Sequence, residues 1–283
     1  MGYKFQKGKM YRMPTHFGPS LGPRQGPDGQ KFQCKDFPKT KSVSVSFLTN
    51  PKQLEAFLPE NFSLLGEPVV TVTASYIKEI EWLAGRGYNT LGVSFPVEFK
   101  GKKDYATGNF LLVLWENLTD PIITGREELG FSKIYCKLPE PISYGSSITC
   151  SASWMNFNFM NLNIKNLKPE KVINNPQKQN NLKSLKGTLH FKYIPKTGGN
   201  PGAWGESDIS YAVITPEFMP NKEIKNFWKG EGVVDFKKAN WEDMPTQFNI
   251  VNAFNNLDKK EYISASVTES VGAKDISDQR ILY

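Results

Sequence analysis

Hydrophobic and polar residues alternate with a period of two along much of this chain. From Ser42 to Thr49 the apolar Val43, Val45 and Phe47 are separated by Ser42, Ser44 and Ser46, the pattern of a strand with one buried face. Similar runs predict strands at about 69–77, 91–99, 109–115, 131–138, 144–159, 187–194, 207–214, 232–236 and 260–270. The run from Tyr144 to Phe159 is too long for one ordinary strand and predicts a wall that bends. Helices are few. Asn50-Pro51 is a helix start, with Leu54, Phe57 and Leu58 forming an apolar face as far as Pro59. Thr246 to Asn256 is a later helix. Strands outnumber helices without regular alternation, which excludes a doubly wound parallel sheet and gives a mainly β (α+β) class.

Three regions follow. Residues 1–41 carry Gly-Pro pairs at positions 18–19, 22–23 and 26–27 and no period. They read as an arm over the domain or over a neighbouring subunit. Residues 42–271 read as one domain, and 272–283 as a polar, mobile tail. The stretch from Asn163 to Lys186, rich in Asn and Lys, reads as a solvated loop.

Composition supports a single large core. The 283 residues are 39% hydrophobic and 13% aromatic, with 19 Phe, 11 Tyr and 6 Trp, which suits aromatic packing between sheets. Cys34, Cys136 and Cys150 are odd in number and show no paired spacing, so a reducing, cytoplasmic setting is expected rather than a disulfide framework. No run of about 18 apolar residues suggests a membrane span. The net charge is +7, but Lys and Arg are dispersed, and a nucleic-acid partner calls for clustering. The positive balance instead favours carboxylate-bearing small molecules.

The chemistry concentrates between Gly125 and Lys133, in the segment Gly-Arg-Glu-Glu-Leu-Gly-Phe-Ser-Lys. Thr124 and Glu127 have capping-box spacing, so a short helix is predicted to start there and close at Gly130. The strand after it places Phe131, Lys133, Tyr135 and Lys137 on one side. A lysine buried among apolar groups is disfavoured in its charged form, and the free amine is a nucleophile that condenses with ketones. Most strand lysines simply reach out to water.

This segment resembles the Schiff-base signature of the acetoacetate decarboxylase superfamily, in which that lysine forms the imine. Leu54 to Pro59 with Glu67-Pro68-Val69-Val70, Tyr88-Asn89-Thr90 with Val93 to Gly101, Leu189 to Pro195, and Trp228 to Gly232 resemble further motifs of the family, in the same order. The resemblance runs from roughly Phe47 to Tyr262 and implies a divergent member. It implies a closed or cone-like antiparallel β structure with a few outer helices, homo-oligomers, and a carbonyl or keto-acid substrate. Departures are specific. A second lysine expected after the first is Ile134, and glutamates expected at two positions are Thr73 and Thr90. An arginine expected before the first long strand has no clear counterpart.

The resulting expectation is a cofactor-free lyase of β-keto acids or related carbonyl compounds, with a substrate larger than acetoacetate and a place in secondary metabolism. Aldolase, dehydratase or isomerase chemistry in the same pocket, or a non-catalytic protein binding an apolar ligand, are the alternatives. Lys133, Arg126, Glu127 and Glu116 are the candidate catalytic residues, and Glu98 is a further acid–base candidate. Tyr88, Thr90, Thr73, Phe131, Tyr135 and Tyr262 are the candidate substrate contacts, with Trp115 and Trp154 as possible walls. No metal site is expected, since only His16 and His190 are present, and His190 reads as a hydrogen-bonded structural residue. Nucleophile-elbow, dinucleotide and phosphate-loop motifs are lacking. With Ile134 in place of a second cation, desolvation alone is expected to activate Lys133.

Overall fold

The computed structural model describes residues 2–172, 185–198 and 200–283. The first half of the sheet comprises β1 (Lys39–Leu48), β2 (Phe62–Leu64), β3 (Val69–Lys78), β4 (Tyr88–Lys100), β5 (Tyr105–Glu116), β6 (Lys133–Tyr135) and β7 (Ile142–Tyr144). The second half comprises β8 (Ser147–Trp154), β9 (Phe157–Pro169), β10 (Leu185–Pro195), β11 (Ser207–Pro216), β12 (Glu223–Phe236), β13 (Glu261–Val271) and β14 (Arg280–Ile281). Among the described residues, three α-helices accompany them: α1 (Pro51–Glu55), α2 (Thr119–Thr124) and α3 (Phe248–Asn255). A π-helical turn, Gly125–Leu129, continues α2 directly.

The strands form one sheet in the order β14-β11-β10-β5-β4-β3-β1-β13-β12-β9-β8-β7, with β2 on β4 and β6 on β5. Its ladders are antiparallel apart from β10–β5 and β5–β6, which run parallel, so the sheet is mixed. Lys137 bridges Ser153 of β8, which joins the far end of the sheet back to the segment after β6. That bridge closes the β5–β4–β3–β1–β13–β12–β9–β8 wall into a ring.

Alternation sorts the two faces of the wall. Val43, Val45 and Phe47 of β1, Val70, Val72 and Ala74 of β3, Leu91 and Val93 of β4, and Trp115 of β5 are fully buried. Helix α3 packs Val251 and Phe254 against them. The opposite face of β1 and β3 is hydroxylic: Ser42–Ser75, Ser44–Thr73 and Ser46–Thr71 pair at 2.9 Å. Each burying face removes a row of apolar side chains from water at about 25 cal/mol per Å2, and the hydroxyl face satisfies its own polar groups.

Several boundaries differ from the sequence reading. The expected bent strand over 144–159 is a pair of hairpins, because Gly145 at φ 55° and Met155 at φ 49° turn the chain between β7, β8 and β9. The expected loop from Asn163 is strand as far as Pro169, paired with β12; residues 173–184 lie outside the described residues. The expected mobile tail is pinned: β14 pairs with β11, and the Tyr283 carbonyl accepts from the Lys103 and Asp104 amides. The arm lies on its own domain. Arg12 and Arg24 reach Glu128, the Cys34 amide donates to Glu81, and the Ala273 amide donates to Cys34. No described helix is long and apolar enough to cross a membrane.

Candidate active site

Lys133 opens β6, a strand of three residues rather than the eight predicted. It is set beside Leu114 of β5 by the parallel register, and Ile134 and Tyr135 lie beside Trp115 and Glu116. Residues paired in a ladder share a face, so Lys133 and Glu116 both lie on the hydroxylic side of the wall and Trp115 on the apolar side. Helix α2 and the π turn cover Lys133 on that side. The predicted helix start at Thr124 is displaced: α2 begins at Thr119, and the Thr124 hydroxyl bonds back to the Asp120 carbonyl at 3.0 Å instead of capping. Closure at Gly130, in the left-handed region at φ 79°, is as expected. Gly125 is where the lysine needs space. A Cβ there would stand 2.5 Å from Lys133 Cδ and Cε and 2.7 Å from Nζ.

Lys133 is not a solitary amine in an apolar pocket. Its Nζ is 2.8 Å from Glu116 Oε1, with 9% of the lysine side chain and 1% of the glutamate side chain exposed. Nζ also donates to the Pro121 carbonyl at 3.0 Å and lies 5.6 Å from the Phe131 ring centroid. Desolvation by itself therefore does not define the nitrogen's surroundings; a carboxylate does. Burial raises the Glu116 carboxyl above its ordinary range, and Lys133 opposes that shift. Glu116 Oε2 is buried with no hydrogen-bond partner. A buried carboxylate oxygen left unsatisfied is costly, and this one is free to accept a proton or a hydrogen bond from a bound molecule.

Thr90 stands directly opposite Glu116 across β4 and β5. The position where the family resemblance called for a carboxylate is thus filled by a threonine facing a carboxylate on the next strand. Tyr88, two residues earlier on the same face, has its phenol pushed up by burial and by the charge of Glu116. Thr73 shares the face but is separated from Lys133 by Gly92 and Leu114, about 14 Å at ordinary strand spacing.

Phe131 stacks on His190 with centroids 4.3 Å apart. His190 is fully buried, with Nδ1 on the Gly130 carbonyl at 3.0 Å and Nε2 near Thr215 and Gln279. Burial pulls its imidazole down to about 4, against the hydrogen bond to Gly130. His190 is structural as read, yet it also backs the ring beside the lysine. Lys192, two residues on, donates to the Glu127 carbonyl at 2.6 Å and is held below its usual range by burial.

The remaining candidates divide. Arg126 donates to the Lys133 carbonyl at 2.8 Å and so fixes the lysine's backbone. Arg126 does not pair with its neighbour Glu128. Glu128 is taken by Arg12 and by Arg24 at 2.9 Å from the arm. Glu127 is exposed and contributes its carbonyl, not its carboxylate. Tyr135 is 48% exposed and does not wall the amine. Tyr262 is far around the sheet on β13, packed on Phe47 and bonded to Val234. Trp115 is core, its indole bonded to Gln247 at 2.8 Å, and Trp154 packs at the core margin. Glu98 is partly buried and paired with the exposed Lys100. The Arg12–Glu128–Arg24 cluster was missed, and nothing local in the arm signals it. Gly125 was inside the motif, and only its closeness to the lysine explains it.

A model of the acetoacetate decarboxylase family matches residues 12–269. No curated protein sequence matches the chain. Among solved structures, an acetoacetate decarboxylase from Legionella pneumophila is similar at 17% identity and a TM-score of 0.61, over 92% of this chain and 94% of that one. An acetoacetate decarboxylase-like enzyme from Sphingomonas wittichii RW1 is similar at 15% identity and a TM-score of 0.59, over 87% and 91%. The enduracididine biosynthesis enzyme MppR, complexed with pyruvate, is similar at 14% identity and a TM-score of 0.59, over 91% and 95%. At these identities the structures speak for a shared fold.

Proposed function

The chain belongs to the acetoacetate decarboxylase family, and from that premise we propose a Schiff-base-forming, cofactor-independent lyase that decarboxylates a β-keto acid or related carbonyl compound larger than acetoacetate. The observation that carries the reading is the buried pair of Lys133 Nζ and Glu116 Oε1 at 2.8 Å. A nucleophilic amine has to lose a proton first, and an adjacent base within hydrogen-bond reach is the usual recipient. Burial raises the proton affinity of Glu116, which suits it to that transfer.

The steps balance as follows. Glu116 takes a proton from Nζ, and the neutral amine adds to the ketone carbon to give a carbinolamine. The proton held by Glu116 passes to the carbinolamine oxygen, which leaves as water and generates the iminium. Cleavage of the bond to the carboxylate carbon releases carbon dioxide, and its electron pair forms an enamine with the iminium as acceptor. Protonation of the enamine carbon and hydrolysis by water return Lys133 and release the ketone. Arg126 positions the lysine through its backbone carbonyl, and Tyr88 and Thr90 are the nearest polar candidates for contacts with bound substrate.

A second reading has its own observation. Glu116 Oε2 has no partner and is suited to remove a proton from the carbon next to an imine, the opening step of aldol-type condensation or dehydration. MppR has been solved with the condensation product of pyruvate and imidazole 4-carboxaldehyde. Treating the protein with borohydride in the presence of a keto-acid panel, followed by peptide mapping, tests both: an adduct on Lys133 is expected. Turnover without any adduct on Lys133 rules the imine out. Product analysis then separates carbon dioxide release from condensation.

We also infer self-association in a cytoplasmic setting. The family resemblance implies it, and the edge strand β7 exposes Ile142 at 72% and Tyr144 at 88%, apolar surface that a free edge rarely leaves open.

A further inference from the structure

A cavity of about 470 Å3 lies against the Gly130–Ile134 segment; Lys133 and Glu116 are not among its lining, though Phe131, whose ring is 5.6 Å from Lys133 Nζ, is. It has a clear origin in the sheet. β5 is paired with β10 over Ala106–Phe110 and with β6 over Leu114–Glu116. Between these ladders the edge of β5 at Leu112 and Val113 is flanked by neither strand, and both residues line the cavity. Helix α3 roofs it with Asn249, Ile250, Ala253 and Phe254, one face at helical spacing. Phe57, Phe191 and Ile134 complete apolar walls. Ile134, packed against the core, thus also lines this chamber.

One end of this chamber is cationic. Arg126 and Lys192 line it beside Ser132. Lys192 is committed to the Glu127 carbonyl at 2.6 Å. Arg126 spends one nitrogen on the Lys133 carbonyl, and a guanidinium carries five N–H donors in a fork that suits a carboxylate. Glu128 is already neutralised by Arg12 and Arg24, so it does not cancel Arg126. A volume of this size is in the range of small-molecule pockets, which are mostly apolar with a few convergent polar groups.

From this arrangement we propose that the chamber is a second binding site, for a monocarboxylate with an apolar tail of medium length, its carboxylate on Arg126 and its tail between α3 and the gap in β5. The site does not rest on the imine reading, because a saturated carboxylate has no carbonyl for Lys133 to attack.

Binding of decanoate at submicellar concentration is measured by calorimetry on the full chain, with decanol as the uncharged comparison and Ala253→Trp as the variant that fills the chamber. Saturable decanoate binding is expected, weakened at least about tenfold by removal of the charge in decanol and by a similar factor in Ala253→Trp. Circular dichroism and thermal unfolding establish that the variant is folded; if it is not, the decanoate–decanol comparison on the unaltered protein decides alone. Lys133→Ala is expected to bind decanoate as the parent does. No saturable binding, equal binding of decanol, undiminished binding by folded Ala253→Trp, or loss of binding in folded Lys133→Ala would each overturn the proposal, the last by placing the ligand at the amine.

Discussion

Lys133 Nζ and Glu116 Oε1 stand 2.8 Å apart, on neighbouring parallel strands and both buried. A pair of this kind holds its two charges at the cost of their hydration, and removing one partner strands the other. Glu116→Gln is therefore expected to lower stability by about 3–5 kcal/mol and to slow imine trapping about 10²-fold or more. The double change Lys133→Met with Glu116→Leu should recover most of the lost stability, since apolar replacements of a buried pair are often neutral or better. Urea unfolding of the parent, Glu116→Gln and the double variant checks this; a double variant as unstable as Glu116→Gln contradicts it.

Gly125→Ala tests the positioning of the amine with both charged groups still present. The new Cβ would stand 2.5–2.7 Å from the end of the Lys133 side chain. The side chain is able to move away, so the fold should survive while the amine leaves Glu116. A displacement of about 1 Å in a reacting group costs about a hundredfold in rate. The expected result is a folded protein, destabilised no more than Glu116→Gln because both charged groups remain, with trapping on Lys133 reduced to that degree. Unchanged trapping would mean that the pair at 2.8 Å does not matter to the amine.

His190 gives a pH signature. Burial depresses its folded value from 6.5 to about 4. The unfolded chain takes up the proton first as pH falls, so the stabilisation is complete above 6.5 and is lost as pH drops through the folded value. The whole window is worth about 3 kcal/mol. Chemical denaturation at pH 7, 6 and 5 should show the parent weakening across these points, before most carboxylates titrate. His190→Gln should show a flatter dependence. Parallel slopes for the two proteins would remove His190 from the account.

Much of the wall was legible because one face of each long strand is buried, which forces period-two alternation: β1, β3 and β13 read this way in the sequence. The hairpins of β7 to β9 were not, because the apolar run continues through turns that only Gly145 and Met155 mark. Lys133 and Glu116 were each legible as candidates. Their partnership was not, since it depends on the parallel register that sets Leu114 beside Lys133, and registers between strands 17 or more positions apart leave no local pattern. The same holds for Arg12 and Arg24 on Glu128, which bond across 116 and 104 positions.

Substrate size is the remaining question that the site poses. Acetoacetate is small and anionic, and close around Nζ the chain presents a carboxylate, a carbonyl and the Phe131 ring. Arg126 donates to the Lys133 backbone carbonyl and lines the neighbouring cavity, Lys192 is tied to the Glu127 carbonyl, and Thr73 and Thr90 carry no charge. A small keto acid therefore brings a negative charge toward Glu116 with little apolar surface in return. A longer or aryl-substituted β-keto acid adds about 25 cal/mol for each Å2 of apolar surface that it buries. Loss of one charged contact commonly costs more than about 1.4 kcal/mol, or tenfold. Acetoacetate should accordingly lie at least about tenfold below the larger keto acids in kcat/KM, a gap read from carbon dioxide release under matched conditions. If acetoacetate is turned over as well as any of them, Glu116 does not exclude small anions, and Thr73, Thr90 and Ile134 are tolerated changes in an ordinary member of the family.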